Sequence, residues 1–122
     1  VAAAVPEEFP LDKESLDDAR QYGNITVVQN PVEAVRGADV VYTDSYNYHK
    51  PISEGEKKVL APYQVNNSLM SFAAHNAQFM HSLPATRGLE VTAEIIDGKN
   101  SLVLDQGENK LHTIKSVLAL LV

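Results

Sequence analysis

Residues 37–44 have the sequence GADVVYTD, and this stretch decides the fold class. A glycine suited to ending a helix comes first, and residues 39–43 follow it with β-branched and aromatic side chains, which favour strands. The segment ends at a carboxylate, Asp44. A short strand placed directly after a helix is typical of a βαβ unit.

Similar segments lie on both sides of this strand. Four more short apolar runs are predicted to be strands, at residues 1–5, 25–29, 77–81 and 101–104. Helices are predicted between and after them, at residues 13–22, 31–36, 56–60, 66–74, 92–97 and 108–121. Local signals mark several helix starts: Asp12 and Asn66 can act as N-caps, and Asn30 precedes a proline at the first helical position. The alternation predicts an α/β fold, a parallel sheet of about five strands with helices on both faces.

Composition narrows the class of function. The 122 residues suffice for one domain, and a net charge of −6 without a basic cluster argues against nucleic acid. No apolar run approaches the roughly 18 residues that a membrane span needs. Cysteine is absent, which excludes disulfides and thiolate metal sites and fits the cytoplasm. His75 and His112 lack a third ligand at metal spacing, and no complete G-x-G-x-x-G occurs, so neither metal nor cofactor is expected.

The loop at residues 81–88, HSLPATRG, carries the most chemistry. It follows a predicted strand, and in parallel sheets the loops at the carboxyl ends of strands bind ligands. An imidazole, a hydroxyl and a guanidinium lie close together there, as an anion or amine site would need. A polar loop with a hydrogen-bonded His81 and a surface Arg87 is the alternative, and the residues alone leave both open.

Five motifs together resemble the ornithine-type transcarbamylases. The loop at 81–88 is similar to the family's H-C-L-P-A-x-R-G, and GADVVYTD is similar to its G-A-D-V-x-Y-T-D. The other three are YQVN at 63–66, EVT at 90–92 followed by IDG at 96–98, and DQGENKLH at 105–112. Each motif alone is weak, but their order and spacing agree along the whole chain. The chain is therefore identified as similar to the ornithine/putrescine carbamoyltransferase family.

This resemblance implies a carbamoyltransferase that moves a carbamoyl group from carbamoyl phosphate to an amine such as ornithine or putrescine. It implies a Rossmann-like, amine-binding second domain over residues 1–122, lacking its first strand and helix. A separate N-terminal domain would bind carbamoyl phosphate through an S-T-R-T-type loop, and the complete enzyme would be a homotrimer in the cytoplasm. The isolated chain is accordingly predicted to be inactive.

The resemblance also implies roles for single residues. Asp44, Ser82 and Leu83 are expected to hold the attacking amine and to take part in catalysis. Carbamoyl phosphate is expected to contact His81, Ser82, Leu83 and Lys110. The bond between Leu83 and the following proline is predicted to be cis, so that backbone carbonyls face the amine.

Three positions depart from the family pattern. Ser82 replaces a cysteine, and Lys110 replaces an arginine, which removes a bidentate fork while keeping the charge. The loop at residues 45–53 lacks the S-M-G of ornithine enzymes, and its two tyrosines are only loosely similar to putrescine enzymes, so the acceptor stays open. A non-catalytic binding or scaffold domain and an engineered fragment are the alternative interpretations.

Overall fold

Strands and helices alternate along the chain. The structure is a computed structural model that describes residues 1–47 and 50–122. The strands are β1 (Ala2–Ala4), β2 (Thr26–Val28), β3 (Val40–Thr43) and β4 (Gln78–His81). The helices are α1 (Lys13–Tyr22), α2 (Pro31–Val35), α3 (Glu54–Leu60), α4 (Asn67–Met70), α5 (Ala93–Ile96) and α6 (Val103–Leu121), with a 3-10 turn at Ala61–Tyr63.

The strands form two parallel pairs. β1 pairs with β2, with Ala3 opposite Val27, and β3 pairs with β4, with Thr43 opposite His81. The predicted α/β class with parallel strands is confirmed. The predicted number of strands is too high, since the described residues form two two-stranded sheets.

The missing fifth strand was predicted at residues 101–104, and that prediction is wrong. Ser101 makes a single parallel bridge to Phe79, and the N–H of Leu102 donates to the Phe79 carbonyl at 2.8 Å. The chain then enters α6, which begins at Val103 and not at the predicted residue 108. Val103 is buried while Leu104 is exposed. A short apolar run does not distinguish a strand from a first helical turn, and here the helix forms.

Local capping sets three helix starts as predicted. The side chains of Asp12, Asn30 and Asn66 each accept a backbone N–H of the helix that follows. Helix α1 has the predicted bounds, but α4 is shorter than the predicted 66–74. Beyond α4 the backbone turns to residues 37–38: Gly37 N donates to Phe72 O at 2.9 Å and Ala74 N donates to Ala38 O at 3.0 Å. These tertiary bonds replace the next helical turn.

The core lies around β3 and β4. Its buried members are Val35, Val41, Val65, Leu69, Phe79, Val91, Ile96 and Val103. An apolar cleft of about 500 Å³ separates the two strand pairs, with β1 on one side, β3 on the other and α2 and α4 residues among its lining. We refer to it as the inter-sheet cleft. The core therefore supports the β3–β4 pair, whose carboxyl ends carry the predicted site.

Candidate functional site

Asp44 and Ser82 meet where β3 and β4 end. The register places Thr43 opposite His81, so the next residue on each strand leaves the sheet at the same edge. The Ser82 hydroxyl donates a hydrogen bond to Asp44 Oδ1, which also accepts the Ser45 N–H at 2.8 Å. Two residues 38 positions apart thus form one polar pair, as a shared substrate site requires.

His81 lies in the interior, behind this pair. Its side chain is about 1% exposed, and its Nδ1 accepts the Leu83 N–H at 2.8 Å. A nitrogen that accepts a hydrogen bond carries no proton, so the neutral ring holds its proton on Nε2. The backbone N–H of His81 donates a hydrogen bond to Gln106 Oε1 on α6 at 3.1 Å. His81 therefore orders the loop after β4, and its contact with a substrate stays a prediction.

Leu83 stands at the outer surface of the loop. The Leu83–Pro84 peptide is cis, as predicted, and Leu83 has a positive φ of 56°. Non-glycine residues rarely adopt this left-handed conformation, and the bond from its N–H to His81 helps to hold it there. The Leu83 side chain is exposed and lines a second, smaller cleft with Arg87 and Asp105.

Glu90 is the site residue that the sequence analysis missed. Its side chain is fully buried, and its Oε1 accepts the Thr86 N–H and lies 3.5 Å from His81 Nε2. Within the described residues, His81 Nε2 and Glu90 Oε2 make no hydrogen bond that satisfies the geometry. The sequence contains a signal for this residue, because Glu90 is a single carboxylate between two apolar residues, Leu89 and Val91. A buried carboxylate needs hydrogen-bond partners, and here the partner is the Thr86 N–H of the loop after β4.

The loop after Asp44 is hydrogen-bonded to the loop after β4. Asn47 Oδ1 accepts the Ser45 hydroxyl at 2.9 Å and the Thr86 hydroxyl at 3.4 Å, which ties this loop to the one after β4. Burial, and secondarily the negative charge of Glu90, raise the pKa of Tyr46 to about 12, so its phenol is neutral. Tyr48 and His49, part of the loop expected to depart from ornithine enzymes, lie outside the described residues.

Two cationic side chains from the sequence motifs, Arg87 and Lys110, make no hydrogen bond or ion pair with Asp44 or Ser82 in the described part of the chain. Arg87 forms a bidentate, exposed ion pair with Asp97, with N···O distances of 2.9 and 2.6 Å. Its hydrogen bond to Asp97 holds the pKa of that carboxyl below its usual value. Lys110 lies on an exposed face of α6 and makes no hydrogen bond or ion pair to any residue in 1–47 or 50–122. A contact between Lys110 and a substrate therefore stays a prediction.

The arrangement offers hydrogen-bond acceptors at the carboxyl ends of β3 and β4. An exposed carboxylate, Asp44, lies beside a hydroxyl and an exposed turn, and its acceptors suit an ammonium group. Among the described residues, no three His, Asp or Glu side chains converge on a metal position. No helix in that part of the chain is long and apolar enough to cross a membrane.

Comparison with known proteins points to the same chemistry. Residues 1–121 match the family model described as Aspartate/ornithine carbamoyltransferase, Asp/Orn binding domain. An ornithine carbamoyltransferase of Hyperthermus butylicus is 45% identical over 128 residues, which cover 99% of this chain and 41% of the relative. The solved ornithine carbamoyltransferase of Pyrococcus furiosus superposes with a TM-score of 0.88 at 40% identity, covering 98% of this chain and 40% of that one.

A more distant solved structure has the same fold. An N-acetyl-L-ornithine transcarbamylase superposes with a TM-score of 0.79 at 27% identity, over 99% of this chain and 39% of that one. The chain spans 41% of the Hyperthermus butylicus relative and 40% of the Pyrococcus horikoshii relative. More than half of each relative therefore lies outside the region of similarity.

Proposed function

The chain belongs to the aspartate/ornithine carbamoyltransferase family, in its Asp/Orn-binding domain, and from this premise we propose that it forms the amine-binding part of an enzyme that carbamoylates ornithine or a related amine. The observation that carries the proposal is the hydrogen bond from Ser82 to Asp44 at the joint carboxyl end of β3 and β4. It gathers two residues that the resemblance assigns to the amine.

In the proposed reaction, Asp44, Ser82 and Leu83 position an amine for attack on carbamoyl phosphate. The uncharged amine nitrogen attacks the carbamoyl carbon of carbamoyl phosphate, a C–N bond forms and the C–O bond to phosphate breaks. Phosphate leaves with the electron pair and takes up the proton that the attacking nitrogen loses. The amine arrives as an ammonium, which Asp44 binds by a charge-assisted hydrogen bond and which releases one proton to solvent before the attack. Ser82 fixes the direction of the Asp44 carboxylate. The Leu83 carbonyl provides a further acceptor beside the nitrogen.

Orientation supplies most of the rate in this scheme. Holding amine and donor in contact removes much of the entropic barrier of a two-substrate reaction. The buried support behind the loop, His81 bound to the Leu83 N–H and Glu90 to the Thr86 N–H, keeps the rim in one geometry. A rim placed on rigid strands is suited to such positioning.

In this proposal, most of the groups that bind the donor, carbamoyl phosphate, belong to a further domain. Lys110 has an exposed side chain with no partner in residues 1–47 and 50–122, and it is free to reach a phosphate bound on a neighbouring domain. We place the carbamoyl phosphate site mainly on that N-terminal domain, with His81, Ser82, Leu83 and Lys110 at its border. A homotrimer in the cytoplasm is the proposed assembly of the complete enzyme.

A chimera tests the proposal. The part of the Hyperthermus butylicus relative that precedes its aligned region is joined to Val1, and citrulline or ureido product is measured with ornithine and with putrescine. The 122-residue chain alone should give no turnover, and the chimera should give clear turnover. Turnover by the isolated chain, or a folded chimera without turnover on either amine, would contradict the proposal.

Paired variants of the chimera locate the site. Asp44→Asn should lower kcat/KM by about 10- to 100-fold, the worth of one charge-assisted hydrogen bond in the transition state. Asp39→Asn is the matched control, since Asp39 is an exposed carboxylate at the opposite end of the same strand. Equal losses in the two variants would show that Asp44 has no special role.

The two departures from the family pattern have their own test. Ser82→Cys introduces a polarisable, ionisable atom beside the amine, and Lys110→Arg restores a bidentate donor. Each change should raise kcat/KM of the chimera, with incomplete additivity if both touch one substrate. A several-fold decrease for Ser82→Cys would show that serine is adapted to this site.

A further inference from the structure

Two side-chain oxygens at the start of the loop after Asp44 accept hydrogen bonds in the same pattern. Asp44 Oδ1 accepts the Ser45 N–H and the Ser82 hydroxyl. Asn47 Oδ1 accepts the Ser45 hydroxyl at 2.9 Å and the Thr86 hydroxyl at 3.4 Å. Each oxygen therefore takes one donor from its own loop and one hydroxyl from the loop after β4. We refer to the Asn47–Thr86 hydrogen bond as the outer connection.

Ser45 couples the outer connection to the carboxylate at the site. Its backbone N–H binds Asp44 and its hydroxyl binds Asn47, so one residue fixes the spacing of the two acceptors. Hydrogen bonds that share members in this way support one another more than separate bonds do. A displacement of Asn47 would therefore be passed through Ser45 to Asp44.

Thr86 is the firmly held side of the outer connection. Its N–H donates to Glu90, whose side chain is fully buried. Its carbonyl accepts the Leu89 N–H at 3.0 Å. The Thr86 hydroxyl thus extends from a backbone that is bound at both its N–H and its C=O, whereas Asn47 is exposed. The outer connection therefore fastens an exposed loop to one that is anchored in the interior.

Neither residue of the outer connection belongs to a motif of the family resemblance. Thr86 occupies the position marked x in H-C-L-P-A-x-R-G, and Asn47 lies in the loop at residues 45–53 that departs from the family pattern. The resemblance therefore assigns no role to either side chain, and the outer connection has to be interpreted from its geometry alone.

We propose that Asn47 is a positioning residue, whose bond to the Thr86 hydroxyl holds the two loops together and thereby orients Asp44. The proposal rests on the amine-binding function proposed above. Asn47 acts through Ser45 and needs no contact of its own with the amine. Without the outer connection the loop after Asp44 moves more freely, and the bound amine reaches the geometry of attack less often. The KM for the amine changes little, because Asp44 still binds the ammonium.

Kinetics of variants of the chimera test the outer connection. Asn47→Ala and Thr86→Val should each lower kcat by about 3- to 10-fold, the worth of one neutral hydrogen bond, and change the KM for the amine by less than about 2-fold. Thr86→Ser keeps the hydroxyl and should retain the parent kcat. Thr113→Val is the matched control, since the Thr113 hydroxyl donates to Asn109 O within α6, and it should also retain the parent kcat.

The double variant separates positioning from direct contact with the substrate. If both side chains act through one bond, the variant that carries Asn47→Ala and Thr86→Val should be no slower than Asn47→Ala alone. Losses that multiply, or a KM that rises while kcat stays constant, would show that the two side chains contact the amine separately, which overturns the proposal. Parent kinetics in both single variants overturn it as well.

Amide hydrogen exchange tests the outer connection without any turnover. The amides of Ser45 and Thr86 should exchange about 3- to 10-fold faster in Asn47→Ala than in the parent chimera, because local opening becomes more frequent. In Thr86→Ser the Ser45 amide should keep the parent rate. A chimera that turns over neither amine contradicts the proposed function, and the exchange rates then decide the outer connection by themselves. Unchanged exchange in Asn47→Ala overturns the proposal in either case.

Discussion

The two strand pairs carry unequal shares of the core. In the β3–β4 pair, Phe79 and His81 are each about 1% exposed and Val41 is 6% exposed. In β1 and β2, which are described in full, no residue is buried, and Val27 is 37% exposed. The site loops therefore extend from the well-packed pair. A site that positions a substrate gains from rigid support.

Truncation of Phe79 should show most strongly that the two strand pairs contribute unequally to the core. Phe79→Ala removes the largest fully buried apolar side chain among the described residues and should cost about 3–5 kcal/mol of unfolding free energy. Val27→Ala, on β2, should cost about 0.5 kcal/mol, since surface changes are small. Urea denaturation measures both, with Phe79→Leu as a milder substitute if the alanine variant does not fold. Similar losses of unfolding free energy in Phe79→Ala and Val27→Ala would show that the two strand pairs contribute equally to the core.

Removal of the buried carboxylate should have the next largest effect. Glu90→Ala leaves the buried Thr86 N–H without its acceptor, removes the carboxylate that lies 3.5 Å from His81 Nε2, and should cost about 1–3 kcal/mol. Glu90→Gln keeps one oxygen for the Thr86 N–H and should cost less. Glu94→Ala, at an exposed position on α5, is the matched control. An unchanged midpoint in Glu90→Ala would show that the loop is held by packing alone.

The smallest of these effects should be the loss of unfolding free energy at low pH that comes from the caps of α3 and α1. Hydrogen bonds with Ser53, which caps α3, lower the pKa of Glu56 from 4.5 to about 2. Because the folded pKa is depressed, the contribution of Glu56 to stability is present above pH 4.5 and is lost as the pH falls towards 2. Hydrogen bonds with Ser15 likewise lower the pKa of Asp12, the N-cap of α1, which lies between β1 and β2 along the chain.

Unfolding free energy measured between pH 2 and pH 5 tests this sign. Glu56→Gln and Asp12→Asn should each flatten the fall in stability on the acid side. Both side chains are exposed, so each change should be smaller than the Glu90 effect. A variant whose acid branch is as steep as the parent's would show that its cap does not contribute.

Local signals account for the parts of the fold that could be predicted. The N-caps Asp12, Asn30 and Asn66 act on backbone N–H groups two or three residues away, so the relevant physics lies within one turn. The strand that ends at Asp44 follows from its β-branched content. The failed strand at residues 101–104 and the early end of α4 have different causes. At 101–104 the pairing with β4 is limited to the bridge at Ser101, because α6 begins at Val103. After α4, Ala74 N donates to Ala38 O of a distant segment.

By itself, the sequence determined the α/β class, the starts of α1, α2 and α4, and the two loops that hold Asp44, Ser82 and Leu83, since propensity, capping and motif order are encoded over short distances. Only the tertiary structure decided that Asp44 and Ser82 touch, that His81 faces inward to Glu90, and that a cleft separates the two strand pairs. These features depend on strand register and on the burial of one carboxylate. Register and burial arise when segments far apart in the chain pack together, because a buried polar group must then find its partner wherever the fold has placed it.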